Sequence, residues 1–306
     1  MKIFLTGGTG YIGENLAITL KSQGHEVYAL VRSPEKSATL SSAGVLLIQG
    51  DLDNKQAIEK GMIGCDAVFH LAAFARLWPD DEMLFRKINV EGTRNILEAA
   101  KNNGVKKVVI TSTAGVAGPS VIGGKPVDEE SVRIAPYFNF YEATKAEAED
   151  ISREYAKNGL HVVIVNPPRV YGPGRKSESN AIGRLIELFL ANKWRFIPGD
   201  GKRIGSYTYI DDIVDGHIKA WELGRNGESY LLGGENASYE YFFSLLQKHT
   251  GIHKKLYNIP VPVLVFVSHI MVLWSKIFNK APLITPPWVK KYMYDWGISS
   301  KKAINE

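Results

Sequence analysis

The chain has 306 residues, 45% of them apolar and 23% charged, and a net charge of +5 that is spread along its length rather than gathered in blocks. That size and balance suit one large α/β domain, or a nucleotide domain with a smaller companion, and give no support to nucleic-acid binding. A lone cysteine, Cys65, excludes an internal disulfide and suits a reducing cytoplasm, and no metal-ligand spacing occurs. The apolar start is a five-residue strand followed by glycines, which is not the pattern of a secretory leader.

Ile3 to Leu5 reads as a strand, Gly7, Gly8 and Gly10 as a turn, and Ile12, Leu16 and Leu20 recur at helical spacing until Gly24. A turn without side chains lets a pyrophosphate lie against the backbone. The helix after it offers a positive dipole end and free N–H groups, here those of Tyr11, Ile12 and Gly13. Gly7 and Gly10 are expected to supply backbone freedom and close approach, and Gly13 tight packing of helix on strand. The spacing T-G-x-x-G-x-x-G from Thr6 resembles the short-chain dehydrogenase/reductase superfamily.

HEVYALVR is a second strand, whose end reads the cofactor ribose in folds of this kind. Arg32, helped by Lys36, can pair there with a 2′-phosphate, which favours NADP(H) and leaves NAD(H) open; the competing reading is an arginine pointing to solvent. VLLIQGDL is the third strand. CDAVFHLAA is a fourth, continuously apolar as a parallel strand buried on both faces should be, with Ala72 and Ala73 leaving room for a dinucleotide. A helix opened by Asn89 follows, then a fifth strand ending in Thr111, Ser112 and Thr113. YEATK places Tyr141 and Lys145 one turn apart on one helical face, so that phenol and ammonium share the same space. HVVIVNPPRVYGPG closes the domain as a sixth strand and a proline-rich turn through Pro167 and Val170.

The remainder reads as a small lid. GSYTYIDDIVDGHIKAWELG predicts a strand and a helix that return to the main sheet, with Asp211 or Asp212 as N-cap, and ENASYEYFFSLLQKHTG a second capped helix. Between Val261 and Phe278 thirteen of eighteen residues are apolar, broken by Pro262, Ser268, His269, Ser275 and Lys276. A membrane span needs about 20 nearly unbroken apolar residues. A packed lid helix lining the substrate pocket is therefore favoured over peripheral membrane contact through an apolar face ending in Trp274 and Lys276. The other lid stretches are Phe74 to Trp78 and Tyr171 to Lys176.

Together GGTGYIG, GDL, HLAA, NVEGTRN, YEATK and PPRVYGPG resemble, in order and over nearly the whole chain, the extended short-chain dehydrogenase/reductases, the NAD-dependent epimerase/dehydratase class. Within that class the chain looks most like dihydroflavonol-4-reductase-like proteins. YIDDIVDGHI, YLLGGENAS, PLITPPWV and DWGISSKKA are similar to plant farnesol dehydrogenase, whose family usually continues past the last of these, so further chain is expected beyond Glu306. The resemblance implies a Rossmann-type doubly wound parallel sheet built from 1–170, with 205–232 returning to it. A smaller substrate-binding lid would be made of 171–204 and 233–306. The resemblance also implies that Asp51 and Leu52 flank the adenine, and that Ala72, Pro167 and Val170 lie against the cofactor, Pro167 at the nicotinamide. Tyr141 would be the acid/base, its pKa lowered by Lys145 and by the charge of the nicotinamide, with Thr113 holding the substrate oxygen. Asn89 would support Lys145 through its backbone and a water.

Two departures argue against a nucleotide-sugar substrate. Gly205 stands where epimerases carry an arginine for the sugar nucleotide's diphosphate, although Arg203 is near, and Arg169 stands where they tend to have asparagine. The expected activity is hydride transfer between nicotinamide and a secondary or allylic alcohol, or its carbonyl, on an apolar flavonoid-, steroid- or isoprenoid-like substrate, by a cytoplasmic monomer or homodimer. A nucleotide-sugar epimerase or dehydratase, and a non-catalytic NAD(P)-binding sensor or subunit on the same fold, are the alternatives.

Overall fold

Six short apolar runs alternate with helices along the first half of the chain: β1 (Lys2–Thr6), β2 (Glu26–Val31), β3 (Leu46–Gln49), β4 (Ala67–His70), β5 (Lys107–Thr111) and β6 (Val162–Asn166). Six more strands follow: β7 (Arg169–Tyr171), β8 (Phe196–Pro198), β9 (Ile204–Tyr209), β10 (Ser229–Leu231), β11 (Glu235–Ser238) and β12 (Tyr257–Ile259). The helices of the first half are α1 (Tyr11–Ser22), α2 (Ala38–Ser42), α3 (Lys55–Met62), α4 (Glu82–Phe85), α5 (Gly92–Asn102) and α6 (Phe140–Lys157). Those of the second are α7 (Ala181–Leu190), α8 (Ile210–Leu223), α9 (Tyr239–Thr250), α10 (Val261–Phe278), α11 (Pro286–Lys291) and α12 (Lys301–Asn305). This computed structural model describes residues 1–75, 81–175, 180–278, 282 and 284–306; Trp78 and Lys176 of the expected lid lie outside them.

Seven strands form one parallel sheet in the order β10-β6-β5-β4-β1-β2-β3. Successive side chains on a strand point to opposite faces, and here both faces are apolar. Ile3 and Leu5 join one core layer with Leu16 and Leu20 of α1 and Ile213 of α8. Phe4, between them, joins the other with Ile58 of α3, Ile96 of α5 and Ile151 of α6. Each fully buried aliphatic or aromatic side chain in these layers contributes about 1.5–3 kcal/mol. Strand order reverses between β1 and β4, which is where a doubly wound sheet opens its crevice.

Several expectations are corrected. β9 does not join the main sheet. Because β10 takes the open edge beside β6, β9 pairs instead with β7 and β11 in a three-stranded sheet, and only α8 and β10 return. Tyr209, not an aspartate, is the N-cap of α8; Asp211 and Asp212 lie in its first turn, at the positive end of the dipole. Asn89 does not open a helix either, since helical structure begins at Glu82 and Asn89 sits in a π-helical stretch, Arg86–Glu91. The end of the chain, placed with the lid by sequence, packs on the main body: Val127 N–H donates to Gly297 O, Ala303 lies against the sheet core, and Arg225 and Tyr230 bind the Glu306 carboxylate. Finally, α10 is not a packed lid, because only 11% of its residues are buried.

Two histidines are sealed inside. His70 sits between Thr6 Oγ1, 2.7 Å from Nδ1, and Thr93 Oγ1, 3.0 Å from Nε2. Thr93 donates its own proton to Asn89 O, so it accepts from the ring, and Thr6 donates to it. His217 bridges Ile213 O and the Thr111 hydroxyl in the same neutral manner. Burial pushes these imidazoles down to about 3 and about 4. The unfolded chain would protonate both near 6.5, so their contribution is fully present above that pH. It is lost as pH falls from there toward the folded values, at about 1.4 kcal/mol per pH unit for each. Urea unfolding compared near neutral pH and about two units lower is expected to show that loss; an unchanged midpoint would refute it.

Candidate active site

The C-terminal ends of the central strands bring together residues far apart in sequence. At the end of β1, Gly7 adopts a left-handed φ of 76°. A Cβ there would lie 2.6 Å from Ala72 N, so the turn rests directly on the backbone after β4. A Cβ on Gly13 would lie 2.2 Å from Gly7 O. Gly10 needs less: its φ of −90° suits any residue, and a Cβ there would sit 3.1 Å from Gly7 O. As N-cap it offers no side-chain acceptor, which leaves the first-turn N–H groups of α1 to a ligand. A cradle that any Cβ would fill, facing uncapped N–H groups at the strand-order reversal, fits the pyrophosphate of a dinucleotide.

The side chains around the turn are mostly structural. Tyr11 is 2% exposed, and its hydroxyl donates to Gly172 O, fastening the turn after β7 over the start of α1. Ile12 and Val170 pack against the core. Leu52 belongs to the opposite core layer, while Asp51 Oδ1 accepts from the N–H groups of Asp53 and Asn54, closing its own turn. Pro167 O accepts from Ala114 N–H, which ties the tips of β5 and β6 together. Arg32 follows β2 directly, exposed and without a hydrogen bond or ion pair among the described residues.

The helix α6 carries the Tyr141 and Lys145 pair. Asn139 caps it by accepting from Glu142 N–H, which sets Tyr141 and Lys145 in its first turns. Lys145 is 1% exposed, and its ammonium makes no hydrogen bond or ion pair among the described residues. Burial lowers its pKa to about 8, with Glu149 partly offsetting. Thr113 accepts from Gly115 N–H, leaving its hydroxyl proton free to donate, and its side chain interacts with the Tyr141 phenol. The lowered Tyr141 pKa expected from sequence is not found in the protein alone. Burial pushes the phenol up to about 12, the Glu142 charge adds to the rise, and Thr113 only partly opposes it. Desolvation disfavours the phenolate more than any nearby group stabilises it.

The Asn89 side chain is engaged elsewhere than at Lys145. Its amide accepts from Phe74 N–H at 2.7 Å and donates to Thr144 Oγ1 at 3.0 Å, binding the segment after β4 to α6. Sequence reading passed over Glu142, whose carboxylate is 1% exposed beside Tyr141. It pairs with Arg133 at 3.0 Å and Lys291 at 2.5 Å and accepts from Phe138 N–H. Arg133 also donates to Gly115 O, so one carboxylate holds the Thr113 loop, α6 and α11 in register. A second omission is Ser112, next to Thr113, whose buried hydroxyl has no partner among the described residues. The TST run advertised it. Nothing in local pattern pointed to Glu142, since its partners come from 9 and 149 residues away.

Arg169 and Gly205 turn out to be coupled. A Cβ on Gly205 would meet Arg169 Nη1 at 1.7 Å, and the guanidinium donates to the hydroxyls of Tyr207 at 3.2 Å and Tyr239 at 2.8 Å. The arginine thus fills the space from which a side chain at 205 would start.

A profile of the NAD dependent epimerase/dehydratase family matches residues 3–233. The chain belongs to that family. Its cofactor class, a nicotinamide dinucleotide, and its oxidoreductase chemistry at a CH–OH group accord with membership of the epimerase/dehydratase family. Among curated members, it is 32% identical over 286 residues to the 4-hydroxy-2-methyl-3-oxo-4-farnesyl-3,4-dihydroquinoline-1-oxide ketoreductase of Stigmatella aurantiaca, covering 92% of this chain and 83% of that one. It is also 32% identical over 264 residues to the sterol demethylase protein B of Methylococcus capsulatus, covering 85% and 78%. Among solved structures, UDP-glucuronic acid 4-epimerase from Bacillus cereus, in complex with UDP-glucuronic acid and NAD, superposes with a TM-score of 0.74 at 27% identity over 96% of this chain and 98% of that one.

Replacing Tyr141 with Phe deletes the one hydroxyl that the sequence leads one to expect as the acid/base. Turnover should fall about a hundred- to ten-thousandfold, with cofactor affinity unchanged, as read by steady-state kinetics and cofactor titration. Retained turnover would remove Tyr141 from the chemistry.

Proposed function

We propose that this protein is an NADP(H)-preferring reductase or dehydrogenase of an apolar carbonyl or secondary alcohol, working in the cytoplasm. The observation that carries this reading is the unpaired, buried Lys145 ammonium one turn from a Tyr141 phenol that meets Thr113. A bound nicotinamide supplies or accepts the hydride. In the reducing direction Thr113 donates a hydrogen bond to the substrate carbonyl oxygen, and Tyr141 gives its proton to that oxygen as the carbon is reduced. Lys145 then steadies the phenolate left behind. A phenol held up at about 12 is fully protonated at neutral pH, the state a proton donor needs.

The relatives named for a farnesyl-quinoline ketone and for sterol demethylation support an apolar substrate. Arg169 filling the space at Gly205 speaks against a nucleotide sugar, because an arginine from position 205 has no room to start. Incubation with NADPH and a panel of apolar ketones is expected to oxidise the cofactor. Epimerised sugar nucleotide with no net change in cofactor would overturn the assignment in favour of an epimerase.

The preference for NADP(H) rests on Arg32. A charge-assisted contact with a 2′-phosphate contributes about 1.5–3 kcal/mol, or roughly ten- to a hundredfold in affinity. NADPH should bind more tightly than NADH by that margin, and Arg32→Asp should invert the order by placing like charges together. Titration of both cofactors against both proteins decides it, and tighter NADH binding by the unaltered chain would show that Arg32 serves solvent only.

A further inference from the structure

Helix α10 is amphipathic the wrong way round for a soluble protein. Its two buried residues are serines: Ser268, whose hydroxyl donates to Val265 O, and Ser275, whose hydroxyl has no partner among the described residues. Six of its apolar side chains form an outward stripe, with Phe266 67%, Leu273 59%, Trp274 61% and Ile277 65% exposed and Val263 and Ile270 between them, while Leu264 and Met271 are half-buried. At about 100° per residue these six share an arc of roughly 100°. The helix has a mean hydropathy of 1.9. Non-obligate protein–protein interfaces taken whole are about as apolar as ordinary surface, and a large exposed apolar face marks a site of protein or membrane contact, of which a lipid leaflet is the more apolar medium.

We propose that α10 docks in the plane of an anionic lipid bilayer, its outward stripe sunk into one leaflet. Spanning is excluded by the chain path. Before α10, β12 pairs with β8; after it, Lys291 of α11 binds Glu142, Trp296 N–H donates to Ile204 O and Glu306 binds Arg225. Both ends of the helix return to the same body, so both lie on the same side of the membrane. Cations supply the complement to anionic headgroups. Lys276 is exposed at the edge of the stripe, Lys290 is exposed on the next helix, and the whole chain carries a charge of +5. The inference does not depend on the substrate reading.

The test is flotation of the full chain with phosphatidylcholine vesicles containing a quarter phosphatidylglycerol, beside vesicles of phosphatidylcholine alone. The protein is expected to float with the anionic vesicles and to bind the neutral ones several-fold less. Glu substitutions at Phe266, Leu273 and Ile277 should each weaken partitioning about tenfold or more, with thermal unfolding unchanged. Should a Glu variant unfold, lipid-borne quenching of Trp274 fluorescence, lost in Trp274→Phe, reports the same contact in an otherwise native chain. Absence of vesicle binding by the folded protein would overturn the proposal, as would a dimer in lipid-free buffer that these substitutions split. Trypsin sites on one side of α10 shielded by sealed vesicles while those on the other are cut would also overturn it, by showing that the helix spans.

Discussion

Everything at the cofactor end of this molecule depends on two stretches of backbone touching. Gly7 lies on Leu71 and Ala72, and Gly13 lies on Gly7 O, with no depth left for a side chain at either point. The contact is made rigid from below. Thr6 accepts from Ala72 N–H and donates to His70, which bonds to Thr93 on α5, so β1, β4 and α5 are fixed by one neutral chain of hydrogen bonds. It is closed from above by Tyr11, reaching across to Gly172. A pyrophosphate laid on such a floor meets N–H groups already in position, which spares the binding free energy that ordering a loop would cost.

A second constraint sits at the other end of the crevice. The Glu142 carboxylate gathers Arg133 and Lys291, and burying three charges is tolerable only because each finds partners. The cluster is structural in its contacts but chemical in its effect, since the Glu142 charge adds to the rise of the adjacent phenol. A tyrosine so placed holds its proton firmly in the free protein. The positive charge of an oxidised nicotinamide, were one bound beside it, would act against that rise.

The main sheet, the glycine turn and the Tyr141–Lys145 pair were legible in the sequence because each is local. Periodicity names a strand or helix, a glycine spacing names the turn, and one helical turn links phenol to ammonium. What was not legible is decided by partners distant in the chain. β9 reads as a strand either way, and only competition with β10 for the edge of β6 sends it to the small sheet. Asn89 stands in the expected motif, yet its contacts with Phe74 and Thr144 depend on how α6 crosses the π-helical stretch. Arg169 and Gly205 read as two separate departures, and their mutual exclusion appears only where β7 and β9 lie side by side.

The serines of α10 show the limit of composition from another direction. Counting apolar residues against about 20 unbroken ones makes a lid the economical guess, yet α10 is long and apolar enough to cross a membrane by length and composition, and only the path of the chain on either side of it argues against spanning. Two of the interruptions turn out to mark the inner face: Ser268 and Ser275 are the buried residues of α10, while Pro262, His269 and Lys276 are exposed, and the bulkiest apolar side chains, among them Phe266, Leu273, Trp274 and Ile277, are turned out. The helix against α10 is α11, whose Lys291 ends on Glu142 beside Tyr141. Through α11 the exposed helix and the Glu142 carboxylate share one support, so whatever occupies the outward face of α10 bears on an element that also anchors α6.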